Sequence, residues 1–69
     1  MESAAPGRYR HFKGAVYVVT GVALHSETEE PLVVYHAEGS SQLWARPASM
    51  WAERVERDGY DGPRFSLIE

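Results

Sequence analysis

The chain has 69 residues, no cysteine, 43% hydrophobic residues and a formal net charge of −3. That length supports one domain with one small core, burying about 60% of its unfolded surface, so few large apolar side chains are spare for function. The composition excludes disulfides and thiolate metal sites, an intrinsically disordered chain, and a protein that coats nucleic acid by bulk charge.

No apolar run approaches the ~20 residues that span a bilayer, and the N-terminus MESAAPG lacks the basic start and apolar stretch of a signal peptide. A cytoplasmic protein without membrane contact is expected. Charge is unevenly spread. Residues 1–24 carry Arg8, Arg10 and Lys13 against Glu2, whereas residues 25–39 carry Glu27, Glu29, Glu30 and Glu38 with no Lys or Arg. All the basic residues except Lys13 are arginine, whose planar fork suits carboxylates, phosphates and aromatic faces.

Residues 1–7 end in Pro6-Gly7 and read as a flexible tail, leaving 8–69 as a single β-rich domain. Tyr9 to Phe12 predicts a short strand that Gly14 ends. Residues 15–24, AVYVVTGVAL, are the clearest strand, rich in β-branched residues. Strict alternation puts Val16, Val18, Thr20, Val22 and Leu24 on one face. Gly21 is the natural site for a bend or bulge. The polar HSETEEP segment joins this strand to LVVYH, residues 32–36. A loop of that length allows only an antiparallel hairpin. AEGSSQ is a further loop and LWAR, residues 43–46, a further strand. Pro47 suits the first position of a helix. The run ASMWAERVERD predicts a helix over 48–58, with Met50, Trp51 and Val55 at helical spacing and Glu53 and Arg57 as an i, i+4 pair. Gly59 would end it. DGYDGP is turn chemistry, and RFSLI, residues 64–68, closes the chain as a strand with Phe65 and Leu67 on one face.

These elements predict a mainly β protein: a small bent antiparallel sheet, or an SH3-like barrel of about five strands, with one short helix. A two-layer α+β fold is the alternative.

Several segments together resemble a small bacterial family, domain of unknown function 1653. They are Tyr9-Arg10-His11-Phe12-Lys13-Gly14, Tyr17, His25-Ser26-Glu27-Thr28, Val33-Val34-Tyr35, then Trp44, Arg46, Pro47 and Met50, and Pro63-Arg64-Phe65. The resemblance runs from about Gly7 to Phe65. It implies a short stand-alone domain and brings no assigned activity. The loop Ala37 to Leu43 departs from the family pattern, which tends to carry an aromatic residue there.

Four constellations could carry function. Tyr9 to Gly14 interleaves aromatic and basic residues, which suits stacking plus phosphate contacts; the alternative is an ordinary edge strand with solvated charges. His25 and Glu27 could be an acid–base pair or metal ligands; the alternative is a turn in which the Ser26 and Thr28 hydroxyls cap backbone groups and Glu27 accepts from backbone N–H. Trp44 and Arg46 share a strand face and could form a platform for a planar anion, or Trp44 could be core. Arg64 alternates with Phe65, so a buried Phe65 turns Arg64 outward or into a cleft. No serine sits in a nucleophile elbow, no glycine-rich phosphate loop is present, and no cofactor motif is written into the chain.

Three functions follow as expectations. One is a non-enzymatic module binding a small anionic ligand, a nucleotide or a short RNA through Arg10, His11, Lys13, His25, Glu27, Trp44, Arg46 and Arg64. The second is an SH3-like module gripping a protein partner through Tyr17, Tyr35, Trp51 and Tyr60. The third is a small hydrolase using His25 and Glu27.

Overall fold

The computed structural model describes residues 5–68. Seven strands and one short helix follow in the order β1 (Gly7–His11), β2 (Val16–Leu24), β3 (Pro31–Ala37), β4 (Trp44–Pro47), α1 (Ala48–Trp51), β5 (Arg54–Arg57), β6 (Tyr60–Pro63) and β7 (Phe65–Leu67). Five form an antiparallel sheet in the order β4-β3-β2-β1-β7, and β5 and β6 form a separate hairpin. The protein is therefore mainly β, with a bent antiparallel sheet and one short helix. The sheet does not close: β4 and β7 are its two edges, and neither pairs with the other. Of the expected tail, residues 1–4 lie outside the described residues, Ala5 and Pro6 are exposed, and Gly7 already belongs to β1.

The bend in β2 has a local cause. Pairing with β3 runs Val19 to Tyr35 and then Gly21 to Val34, so Thr20 is an extra, unpaired residue. Its hydroxyl donates to the Val34 carbonyl at 3.2 Å. This bulge lies at the residue next to Gly21, where the sequence calls for one. It also corrects the expected alternation. An extra residue exchanges the faces, so Val19 opposite Tyr35 and Val22 opposite Val33 lie on the same side.

That side carries the core. Tyr9, Val19, Val33, Tyr35, Ala48, Trp51 and Phe65 form one buried cluster, with Tyr17 packed against it. Trp51, delivered by α1, is its lid. Its ring lies parallel to Phe65 with centroids 3.7 Å apart, and it meets Tyr9 edge-on at 5.5 Å and Tyr35 at 5.0 Å. Ring–ring contact thus supplies much of a core in which, among the described residues, Val19 and Val33 are the two fully buried side chains.

The predicted helix over 48–58 is corrected. Only Ala48–Trp51 is helical, and the chain then turns into the β5–β6 hairpin. A four-residue helix makes too few hydrogen bonds to propagate without tertiary support. Beyond Trp51 the alternation exposed-buried-exposed over Arg54, Val55 and Glu56 gives Val55 its burial in a strand instead. Asp58 and Gly59 both adopt positive φ, 53° and 81°. That pair is the backbone of a tight two-residue hairpin turn, for which Asp-Gly is a preferred sequence. Gly59 therefore reverses a hairpin and does not end a helix. Glu53 pairs with Arg64 at 3.0 Å, not with Arg57. Pro47 is the last residue of β4 and precedes the helix.

Candidate basic and aromatic site on the concave face

The core face continues past Trp51 as a half-buried strip where β1, β4 and β7 converge. His11 ends β1 opposite Phe65 of β7, so both side chains share the core face. The ring of His11 packs against Phe65 at 5.1 Å, Tyr17 at 6.4 Å and Phe12 at 4.6 Å. The β1–β2 turn holds its orientation. The Lys13 backbone N–H donates to His11 Nδ1 at 3.1 Å. A neutral His11 thus carries its proton on Nε2, which is left as a donor.

Three cations act on this imidazole. Burial is the main cause that holds the His11 pKa below the usual 6.5, and the positive charges of Arg64, Lys13 and Arg46 add to it in that order. Each reaches the place from a different element. Lys13 is in the turn after β1. Arg64 lies between β6 and β7, pinned by its backbone: its N–H donates to the Glu53 carbonyl at 3.0 Å, and its carbonyl accepts from the Phe12 N–H at 2.9 Å. Arg46 comes from β4, the opposite edge of the sheet, and its guanidinium lies 5.8 Å from the Phe65 centroid. An arginine on one edge strand over a ring on the other measures how far the open sheet curls.

Neutralisation is incomplete. Arg64 Nη2 donates to Glu53 Oε1 at 3.0 Å, while the buried Arg64 Nε has no acceptor among the described residues. No carboxylate pairs with Arg46 or Lys13 among the described residues. Gathering like charges beside a half-buried imidazole costs free energy that an anion would offset. Next to this cluster stands Trp44. It faces the same way as Arg46, opposite Tyr35, and is 57% exposed. The sequence leaves Trp44 open between core and platform; the structure gives the core position to Trp51, 5% exposed, and leaves the Trp44 ring in solvent.

The remaining candidates lie elsewhere. Arg10 alternates with Tyr9 and His11 and so falls on the other face, where its Nη1 donates to the Gly14 carbonyl at 3.5 Å. His25 and Glu27 sit at the far end of the nine-residue β2. There His25 Nδ1 accepts from the backbone N–H groups of Glu27 at 3.1 Å and Thr28 at 3.3 Å, and Thr28 Oγ1 accepts from the Glu30 N–H at 3.2 Å. The His25 imidazole is thus engaged in holding the turn, and of the expected caps the Thr28 hydroxyl is in place. Among the described residues no three His, Asp or Glu side chains converge as metal ligands would. Of the expected peptide-groove aromatics, Tyr35 and Trp51 are buried, Tyr17 packs on the core, and Tyr60 stacks on Phe12 at 5.4 Å.

Two residues near the site were given other roles by the sequence reading, Arg57 in a helix and Tyr60 in a peptide groove. Arg57 and Tyr60 are opposite one another in the β5–β6 hairpin, and the Arg57 guanidinium lies 5.9 Å from the Phe12 centroid. The Asp58-Gly59 pair between them was the signal that could have placed them opposite one another.

Fold and site together define a small curled antiparallel β domain with a basic, aromatic strip beside its core. A family described as proteins of unknown function, DUF1653, matches residues 7–67, and the chain belongs to that family. It is similar to the crystal structure of a DUF1653 protein from Bordetella bronchiseptica, with 34% identity and a TM-score of 0.84, over 94% of this chain and 87% of that one. No curated protein matches.

Proposed function

We propose that this domain is a non-enzymatic binding module for an anionic, nucleotide-like ligand, or for the end of a short RNA. One observation carries the reading: three cations come from separate parts of the chain to the surroundings of His11. They are Lys13, whose backbone N–H donates to His11 Nδ1, Arg46, 5.8 Å from the Phe65 ring on which His11 packs, and Arg64, whose carbonyl accepts from the Phe12 N–H. Glu53 is the one carboxylate paired with any of them among the described residues. The Lys13 ammonium, the Arg46 and Arg64 guanidinium groups and the Nε2–H of His11 are donors suited to phosphate or carboxylate oxygens, and the exposed ring of Trp44 is suited to stacking on a planar base. His25 and Glu27, at the other end of β2, have no part in this ligand site. The lack of cysteine fits a reducing compartment, and we assign the protein to the bacterial cytoplasm. The peptide-groove alternative has less support, because most of its aromatics are occupied within the fold.

The test is calorimetric titration with adenosine 5′-monophosphate, adenosine and inorganic phosphate. The nucleotide should bind more tightly than either part, and Arg46→Gln should weaken it by about tenfold or more, the worth of one charge-assisted hydrogen bond. Equal, unsaturable behaviour of all three ligands would overturn the reading.

A further inference from the structure

The ring contacts do not stop at His11. They run without a break from Trp51 to Phe65 (3.7 Å), His11 (5.1 Å), Phe12 (4.6 Å) and Tyr60 (5.4 Å, stacked). Cations accompany the row along its length. Arg46 stands by Phe65, and both Lys13 and Arg57 stand 5.9 Å from the Phe12 centroid.

The hairpin's own charges are sorted by its pairing. Arg57 and Tyr60 are partners, as are the buried Val55 and Gly62 two residues away, so these four share the face turned toward the main sheet. Glu56 and Asp61 are partners on the opposite face, where Asp61 accepts from Arg54 at 2.9 Å. Arg57 has no carboxylate partner among the described residues. A surface hairpin with nothing to recognise would gain by pairing Arg57 with a nearby carboxylate; here it lies against an aromatic ring that already has a lysine beside it.

We infer that the β5–β6 hairpin adds a second anion subsite, Lys13 and Arg57 around the Phe12–Tyr60 stack, so that the ligand is a phosphodiester-linked chain of two or more nucleotides. The inference rests on the proposed function and deepens it. The His11, Arg46 and Arg64 cluster takes one phosphate and Arg57 takes the next, with Lys13 placed between the two positions and shared by them. Trp44, on the same face of β4 as Arg46, and the Phe12–Tyr60 pair, beside Lys13 and Arg57, give each anion position an aromatic ring on which a base of a single strand could stack.

The experiment compares adenosine 5′-monophosphate, tetrauridylate, tetrathymidylate and inorganic tripolyphosphate against the intact chain by calorimetry and amide NMR. The tetranucleotides should bind at least tenfold more tightly than the monophosphate, with amide shifts at Phe12, Arg57 and Tyr60 that the monophosphate does not cause. Arg57 is exposed, so Arg57→Gln should leave the fold intact, weaken tetranucleotides about three- to tenfold, lower the salt slope by about one unit and leave the monophosphate unaffected. A tetranucleotide that binds no tighter than the monophosphate, with shifts confined to His11, Arg46 and Arg64, would overturn the second subsite and leave the first standing. Tripolyphosphate binding as tightly as the tetranucleotides would overturn the nucleotide assignment. Absence of saturable binding by every probe would overturn both the inference and the function on which it rests.

Discussion

Exchanging the roles of the two tryptophans is the sharpest test of the fold. Trp51→Ala removes a ring that is 5% exposed, parallel to Phe65 at 3.7 Å and in contact with Tyr9 and Tyr35. Truncating a buried tryptophan costs about 3–5 kcal/mol, and each lost ring pair contributes about 0.5–1.5 kcal/mol within that figure. A domain of 69 residues has roughly 3–10 kcal/mol in all. The Trp51 variant should therefore lose most of its stability. Trp44→Ala removes a ring that is 57% exposed and should cost less than about 1 kcal/mol. Urea unfolding followed by far-ultraviolet circular dichroism measures both. At an m-value near 1 kcal/mol/M, the Trp51 variant should drop its midpoint by about 3 M or be unfolded at the outset. Equal losses, or a larger loss for Trp44→Ala, would refute the assignment of core and platform.

Other expectations follow from single residues. His11 should titrate below 6.5, and anion binding should move its midpoint upward, since a bound anion favours the imidazolium. Its folded pKa lies below its unfolded one, so the unfolded chain binds more protons in that window. Stability should fall as pH drops from 6.5 to the folded midpoint and the His11 contribution should level off below it; a His11 midpoint above 6.5 by NMR would contradict this. Gly62→Ala should destabilise the hairpin, because a Cβ there would stand 2.8 Å from Tyr60 Oη, which donates to the Pro63 carbonyl at 2.6 Å. An unchanged urea midpoint would show that the ring moves aside at no cost. His25→Ala should cost about 0.5–1.5 kcal/mol through the lost turn cap and leave nucleotide affinity unchanged; a large loss of affinity would return His25 to the site.

Most strands were legible because their signals are local. The β-branched run Val16 to Leu24, the polar HSETEE turn and the alternation around Tyr35 need no distant partner to be read. The faces of β2 were not, because Thr20 and Gly21 give no sign of which one is the extra residue. The helix over 48–58 failed for a different reason. Met50, Trp51 and Val55 fit helical spacing, but they also fit a short helix followed by a strand, and tertiary pairing with β6 decided between them. Of the site, His11, Lys13, Arg46 and Arg64 were picked out by residue type. Their convergence was hidden, because it depends on the sheet curling until β4 and β7 face each other. Arg10 was included for the interleaving of basic and aromatic residues in β1, and the structure places it on the face opposite His11.

The most direct measurement is an amide NMR titration of the labelled chain with adenosine 5′-monophosphate. The account predicts saturable shifts at His11, Lys13, Arg46 and Arg64, with the Trp44 indole N–H moving beside them and His25 to Thr28 unmoved. Shifts centred on the β2–β3 turn, or none at millimolar nucleotide, would contradict it.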